Sequence, residues 1–155
     1  MEYATAKQLA NEVVMRLMPY CSAIEIAGSI RRKKPLCRDI DIVLIPGNQG
    51  KLAVALQELG QKIKSGPRIH SCLYKGQQVD IYVADEKTWA TLLLIRTGSK
   101  ENNIKLCSKA KGMGMKLHAD GSGITLDNGL PWGEVRSEED VFTALCLPYR
   151  KPEER

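Results

Sequence analysis

The stretch that most constrains this chain is Gly28-Ser29-Ile30-Arg31-Arg32-Lys33-Lys34-Pro35-Leu36-Cys37-Arg38-Asp39-Ile40-Asp41. A small-residue turn leads into a block of cations, and two carboxylates separated by one apolar residue then open the run Ile40 to Ile45. In an extended chain successive side chains alternate between faces, so Asp39 and Asp41 share one face while Ile40, Ile42 and Leu44 share the other. Two carboxylates side by side on a strand suit a hard, oxygen-seeking cation such as Mg2+, which completes its shell with water and phosphate oxygens. The neighbouring cations attract a polyanion. Together they predict a site that holds a nucleoside triphosphate through metal.

Composition narrows the setting. A chain of 155 residues is the size of one domain, or of two small lobes sharing a core. Aromatics make up only 5%, so the core is aliphatic. No apolar run approaches the ~20 residues needed to span a bilayer, and the first residues lack a cation-then-apolar signal pattern. The expectation is a soluble, intracellular, cytoplasmic protein, nucleoid-associated if the source is prokaryotic, with no membrane partner. Five widely spaced cysteines, none in Cys-x-x-Cys form, argue against a disulfide framework or a zinc site. Net charge is +5, and from Arg96 to Lys116 six cations face a single Glu101. Two basic stretches turned toward one cleft would accommodate a phosphate backbone.

Periodicity supplies the elements. Thr5 is expected to cap a helix to about Met18, ended by Pro19. Ser22 to Ala27 reads as a strand, and Leu52, Leu56 and Leu59 mark a helix stopped at Gly60. Arg68 to Tyr74 and Gln78 to Ala84 flank a hairpin turn. Val79, Ile81 and Val83 alternate with Asp80 and Tyr82, which leaves Asp80 either at an exposed edge or as the third carboxylate of a two-metal cluster. Asp85 is expected to cap a helix from Glu86 to Arg96, and Ser99 one from Lys100 to Lys111. Met115 to Ala119 and Gly123 to Leu126 read as a small antiparallel sheet, and Ser137 opens a last helix with acids in its first turn. Trp89 and Trp132 are assigned to the core, and His70 and His118 to structural or surface roles. Cys37 reads as an inert thiol.

Gly28-Ser29, nine intervening residues, Asp39-Ile40-Asp41 and a later strand Asp80 resemble the nucleotidyltransferase signature of family X DNA polymerases, the polymerase beta-like group. Arg31-Arg32 after Gly-Ser-x, Thr97-Gly98-Ser99 with Asn103 downstream, and Leu147-Pro148-Tyr149 before Pro152-Glu153-Glu154-Arg155 extend the likeness over nearly the whole chain. The resemblance implies an α+β fold: a nucleotidyltransferase palm with a mixed sheet flanked by helices (residues 1–97), then a small α/β thumb with a short antiparallel sheet (98–155). It also implies a metal-dependent DNA polymerase that transfers deoxynucleoside monophosphates from dNTPs to a primer 3'-hydroxyl, in short gap or break repair with low processivity. The implied cofactors are two Mg2+ ions, for which Mn2+ can substitute. The implied partners are primer-template or gapped DNA and a dNTP, with the chain a monomer that can work beside repair proteins.

Residue by residue, the resemblance makes Asp39 and Asp41 bridge both metals and Asp80 bind the catalytic one. It sets Gly28, Ser29 and Arg32 at the triphosphate, the Gly98-Ser99 turn near the sugar, and Asn103 at the minor-groove edge of the base, whose acceptors all bases share. Arg38, which the family pattern lacks, either adds a phosphate contact or crowds the site, and Arg96, Lys105 and Lys109 are candidates for the DNA backbone, the two lysines otherwise forming a solvated helix face. Two departures stand out. Where the family commonly has an aromatic pair implicated in excluding ribose, this chain has Ile95 and Arg96. Where it commonly has Ser-Gly before the first acid, this chain has Cys37-Arg38. Nothing before Met1 corresponds to a lyase domain or helix-hairpin-helix fingers, so the expectation is a minimal palm-plus-thumb form. Template-independent or protein-modifying transfer of the antitoxin type shares the acids without the thumb pattern, and a non-catalytic DNA-binding module would use the cations alone.

Overall fold

A computed structural model describes all residues, 1–155. Helix α1 (Tyr3–Leu17) leads through a 3-10 turn to strand β1 (Cys21–Ile26), helix α2 (Gly28–Arg31), strand β2 (Ile40–Pro46) and helix α3 (Gln49–Leu59). Strands β3 (Gln61–Ser65), β4 (Ile69–Tyr74) and β5 (Gln77–Val83) follow, then helices α4 (Trp89–Thr97) and α5 (Lys100–Gly112). The short strands β6 (Met115–Leu117) and β7 (Ile124–Leu126) and helix α6 (Glu138–Ala144) complete the chain. No helix is long and apolar enough to cross a membrane.

The five-stranded sheet has the order β1-β2-β5-β4-β3 and is mixed: β2 and β5 are parallel, and every other neighbouring pair is antiparallel. Alternation along the central strands sorts two sets of side chains. Ile40, Ile42, Leu44, Val79 and Ile81 pack with Ala6, Ala10, Val13 and Leu17 of α1 and with Leu52 and Leu59 of α3. On the opposite face Val43, Ala27 and Ala84 meet Leu92 and Leu93 of α4. A second core gathers Leu94 and Ile95 of α4 with Leu106 and Ala110 of α5, Leu117, Ile124, and Val141 and Phe142 of α6. Helix α4 therefore serves two cores, and seven of its nine residues are buried, as expected of a helix apolar all round.

Several expectations are revised. Helix α1 begins at Tyr3 rather than after a Thr5 cap, because Glu2 is fixed outside by a bridge to Leu36 and its carbonyl accepts the Ala6 N–H at 3.0 Å. Strand β3 was not foreseen: each of its residues is exposed, so Gln61-Lys62-Ile63-Lys64 has no buried face to betray it, and its partner β4 defines it. Helix α4 starts at Trp89, since the Asp85 carboxylate caps a preceding turn through the N–H groups of Lys87 (2.8 Å) and Thr88 (2.9 Å). Trp132 is 36% exposed on the edge beside β7 and is no core residue. Ser137 caps α6 in a reciprocal box with Asp140, and His70 is buried against Ser65, both as expected.

One polar network ties the end of α2 to the last helix. Arg31 donates to both oxygens of Glu138 (2.7 and 2.6 Å) and to the Thr97 hydroxyl (2.8 Å). Arg155, its side chain fully buried, donates to the same Glu138 at 2.7 Å and lies near the rings of Phe142 and Tyr149. Burial alone would raise the Glu138 carboxyl, but the hydrogen bonds from Arg31 and Arg155 outweigh it and hold the group below the usual carboxylate range.

Candidate active site

An open cleft of about 930 Å³ lies between the end of α2, the loop to β2, the C-terminal end of α4 and one face of α5. Its floor carries Asp39 and Asp41, and its rim carries five cations: Arg32, Lys34, Arg38, Arg96 and Lys100. Gly28, Ser29, Gly98 and Asn103 also line it. Most of the residues singled out from the sequence therefore meet in one place. Asp80 and Ser99 are not on its lining, and neither are Lys105 and Lys109, which are exposed on α5.

Asp41 is placed by its strand. It sits in β2 directly opposite Asp80 in the parallel neighbour β5, so the two carboxylates project from the same face of the sheet. Gly28 makes room for it: a Cβ there would lie 2.1 Å from Asp41 Oδ2, and the backbone has φ +60°, a conformation that favours glycine. Burial, then the charges of Asp39 and Asp80, push the Asp41 carboxyl up to about 7, against the opposing pull of Arg96 and Arg32.

Asp80 is not on the cleft lining. It is 9% exposed, and its carboxylate accepts the Ser71 hydroxyl at 2.5 Å and the Gln78 amide at 3.2 and 3.1 Å. Accordingly no three acidic, histidine or cysteine side chains converge closely enough to hold a metal ion as they stand. The donor set nevertheless suits a hard divalent cation, because all three groups are oxygen donors. Burial first, and then the charges of Asp39 and Asp80, raise the Asp41 carboxyl, and a bound cation would offset both.

The opposite wall is held by ties between elements. Arg32 Nη1 donates to the Thr97 carbonyl at 2.6 Å, while its Nε is buried without a partner. A Cβ on Gly98 would lie 3.0 Å from that same guanidinium, so glycine at φ +73° lets the arginine close over the turn. Ser99 caps α5 by accepting the Asn102 N–H at 3.2 Å. The Asn103 amide donates to the Ile95 carbonyl at 2.9 Å, so on the cleft wall its N–H group is engaged within the protein. Arg96 lies over the Tyr82 ring, 4.2 Å from its centroid, with its Nε also buried and unpartnered.

Reasoning from the sequence passed over Leu36 and Ile104 and took Lys34 and Lys100 only as members of the two basic stretches; all four are on the cleft lining. A signal existed for part of this set: Lys100, Asn103, Ile104, Cys107 and Ser108 fall at helical spacing and form one face of α5. Glu138 and Arg155 were also passed over, since nothing local marks a partner 107 residues from Arg31.

Residues 92–155 match the family described as DNA polymerase beta thumb. The chain is 30% identical over 158 residues to DNA polymerase lambda of Rattus norvegicus, a match covering 83% of this chain and 28% of that protein. It is 26% identical over 168 residues to the DNA polymerase/3'-5' exonuclease PolX of Bacillus subtilis strain 168, covering 97% of this chain and 27% of the relative. The chain thus spans little more than a quarter of the length of these relatives. Among solved structures, polymerase beta of Leishmania infantum in a ternary P/T complex superposes with a TM-score of 0.82 at 26% identity, covering all of this chain and 76% of that one. The mixed five-stranded sheet with its flanking helices, followed by the small two-stranded sheet, is the polymerase beta-like fold, and the chain belongs with the family X polymerases.

Proposed function

We propose that this chain is the catalytic palm and thumb of a DNA polymerase, with residues 1–97 and 98–155 in those two roles, adding deoxynucleoside monophosphates to a primer 3'-hydroxyl at gaps or breaks. The observation that carries the reading is Asp41. It is seated opposite Asp80, wedged against Gly28, and its carboxyl is pushed up to about 7 by burial and the neighbouring acids, at the floor of a cleft rimmed by five cations. Surplus negative charge beneath surplus positive charge fits metal ions and a polyphosphate bound together.

Asp39, Asp41 and Asp80 would hold divalent metal, Mg2+ or Mn2+, which when bound supplies Lewis-acid stabilisation of charge on the transferring phosphoryl oxygens and lowers the pKa of an attacking hydroxyl. The chain's own residues do the rest. Ser29, Arg32 and Arg38 bind triphosphate oxygens through charge-assisted hydrogen bonds. The Thr97 carbonyl orients the Arg32 guanidinium for that task. Gly98 keeps the turn low enough for a sugar to pass. Asn103 reaches a base edge after giving up its bond to the Ile95 carbonyl. Arg96, Lys105 and Lys109 meet the DNA backbone. Phosphoryl transfer needs little covalent help, so positioning and charge carry the rate.

Extension of a primer across gapped DNA with Mg2+ or Mn2+ tests this reading. Asp80→Asn is expected to lower the extension rate on the order of 10³-fold or more, the several kcal/mol that metal-held charge stabilisation supplies. Undiminished extension by that variant would remove Asp80 from the mechanism. Extension that is equally fast without a template strand would favour template-independent transfer.

A further inference from the structure

Asp80 comes to the proposed metal site with its carboxylate already committed. Both of its oxygens accept hydrogen bonds from side chains of the sheet, and the bonds differ in kind. The Ser71 hydroxyl donates to Oδ1 at 2.5 Å, the short end of the range for a hydroxyl on a carboxylate. The Gln78 amide nitrogen lies 3.2 Å from Oδ1 and 3.1 Å from Oδ2, both at the long end for N–H···O. Oδ1 is therefore held firmly, and Oδ2 loosely.

Strand register places all three groups. Ser71 in β4 is directly opposite Asp80 in β5, and Gln78 precedes Asp80 by two residues, so the three side chains leave one face of the sheet. Their surroundings set them apart. Ser71 is 5% exposed, and its single hydroxyl proton is given to Asp80 beneath the surface, where no water competes for it. Gln78 is exposed, so its amide can exchange the carboxylate for solvent at little cost.

We propose that Ser71 is a positioning residue for the reaction: its hydroxyl anchors Oδ1 of Asp80, and Oδ2 becomes free for a divalent cation when the Gln78 amide lets go. This deepens the polymerase reading above and rests on Asp80 being a metal ligand. Ser71 and Gln78 then act in opposite senses. Ser71 orients the carboxylate as an outer-shell partner does, and Gln78 competes with the ion for the same oxygen. Two residues that only packed the sheet would have no reason to shift metal affinity in opposite directions.

The test is a Mn2+ titration of the full chain, followed by the electron paramagnetic resonance signal of the free ion. It is run on gapped DNA whose primer ends in a dideoxynucleotide, with the next dNTP present, so that binding occurs without turnover. Asp80→Asn is the reference and is expected to remove one bound Mn2+. Ser71→Ala should weaken that same ion about tenfold, the low end of what outer-shell partners contribute. Ser71→Thr, which keeps the hydroxyl and suits a strand, should restore it. Gln78→Ala should tighten it about threefold, the net strength of an ordinary hydrogen bond. With an extendable primer, the Mn2+ concentration giving half the maximal rate should shift by the same factors, and Ser71→Ala should approach the parent rate at saturating Mn2+. If Asp80→Asn loses the ion while Ser71→Ala binds it as tightly as the parent, the anchor is refuted and Asp80 remains a ligand. Equal losses in Ser71→Ala and Ser71→Thr, or no tightening in Gln78→Ala, also count against it. If Asp80→Asn keeps every bound ion, the metal reading of Asp80 falls and the anchor with it.

Discussion

The two sides of the cleft are built by different means. Its acidic floor is set by strands: the register that pairs Ile40 with Val79 and Ile42 with Ile81 necessarily sets Asp41 beside Asp80. Its cationic wall is set by side chains reaching between distant elements, as Arg32 does to the Thr97 carbonyl and Arg31 to Glu138. A floor made by sheet register survives the loss of any one side chain, whereas a wall made by side-chain ties does not. The floor buries a carboxylate beside two others, which weakens the fold once it ionises, and the wall stores attraction that strengthens it.

That contrast can be broken in three places. The largest effect on stability is expected from Glu138→Gln, which leaves the half-buried Arg31 and the buried Arg155 without their counter-charge. Urea denaturation should show a loss of about 3 kcal/mol, the usual cost of removing one partner of a buried ion pair. The pH dependence has a definite sign. Glu138 is held below its ordinary 4.5, so its contribution is present above that value and is lost as pH falls through its lower folded value. The variant should therefore lose its deficit relative to the parent in acid.

On the floor the sign reverses. Asp41 is raised from 3.8 to about 7, so the folded chain holds a proton that the unfolded chain releases, and the stability linked to this group falls as pH rises between those values. Asp41→Asn in EDTA should match the parent near pH 4 and exceed it at pH 8 by on the order of 2 kcal/mol, while primer extension is lost. If the advantage of the variant over the parent is no larger at pH 8 than at pH 4, the buried acids do not strain the floor. The smallest effect is expected at Lys105 and Lys109, which belong to neither side. Each change to Ala should leave stability within about 0.5 kcal/mol and reduce the salt slope of DNA binding by about 0.9.

The same contrast explains what was legible in the sequence. Alternation about Ile40 to Leu44 and Val79 to Val83 reveals strands, and with them the shared face of the acids, because period two is a local property. The Ser137 and Ser99 caps are equally local. Strand β3 escaped because Lys62, Ile63 and Lys64 bury nothing, so its identity comes from β4 alone. Trp132 misled because aromatic character suggests a core, whereas at the edge of the two-stranded sheet it stays 36% exposed and outside the second core. The tether of Asn103 to Ile95, the seat of Arg96 on Tyr82 and the Glu138 network depend on contacts between segments far apart in the chain, and no residue spacing encodes them.

Helix α4 carries a consequence for anyone recombining such proteins. Its Leu92 and Leu93 serve the sheet, and its Leu94 and Ile95, one step further along, serve the core beneath α5 and α6. A chimera joined at Gly98 would present a foreign pair of side chains to Phe142 and Leu106, and its two parents would clash or gape at that seam. A junction ahead of Leu92, where the match to the polymerase beta thumb also begins, keeps the whole lining of the second core in one inheritance.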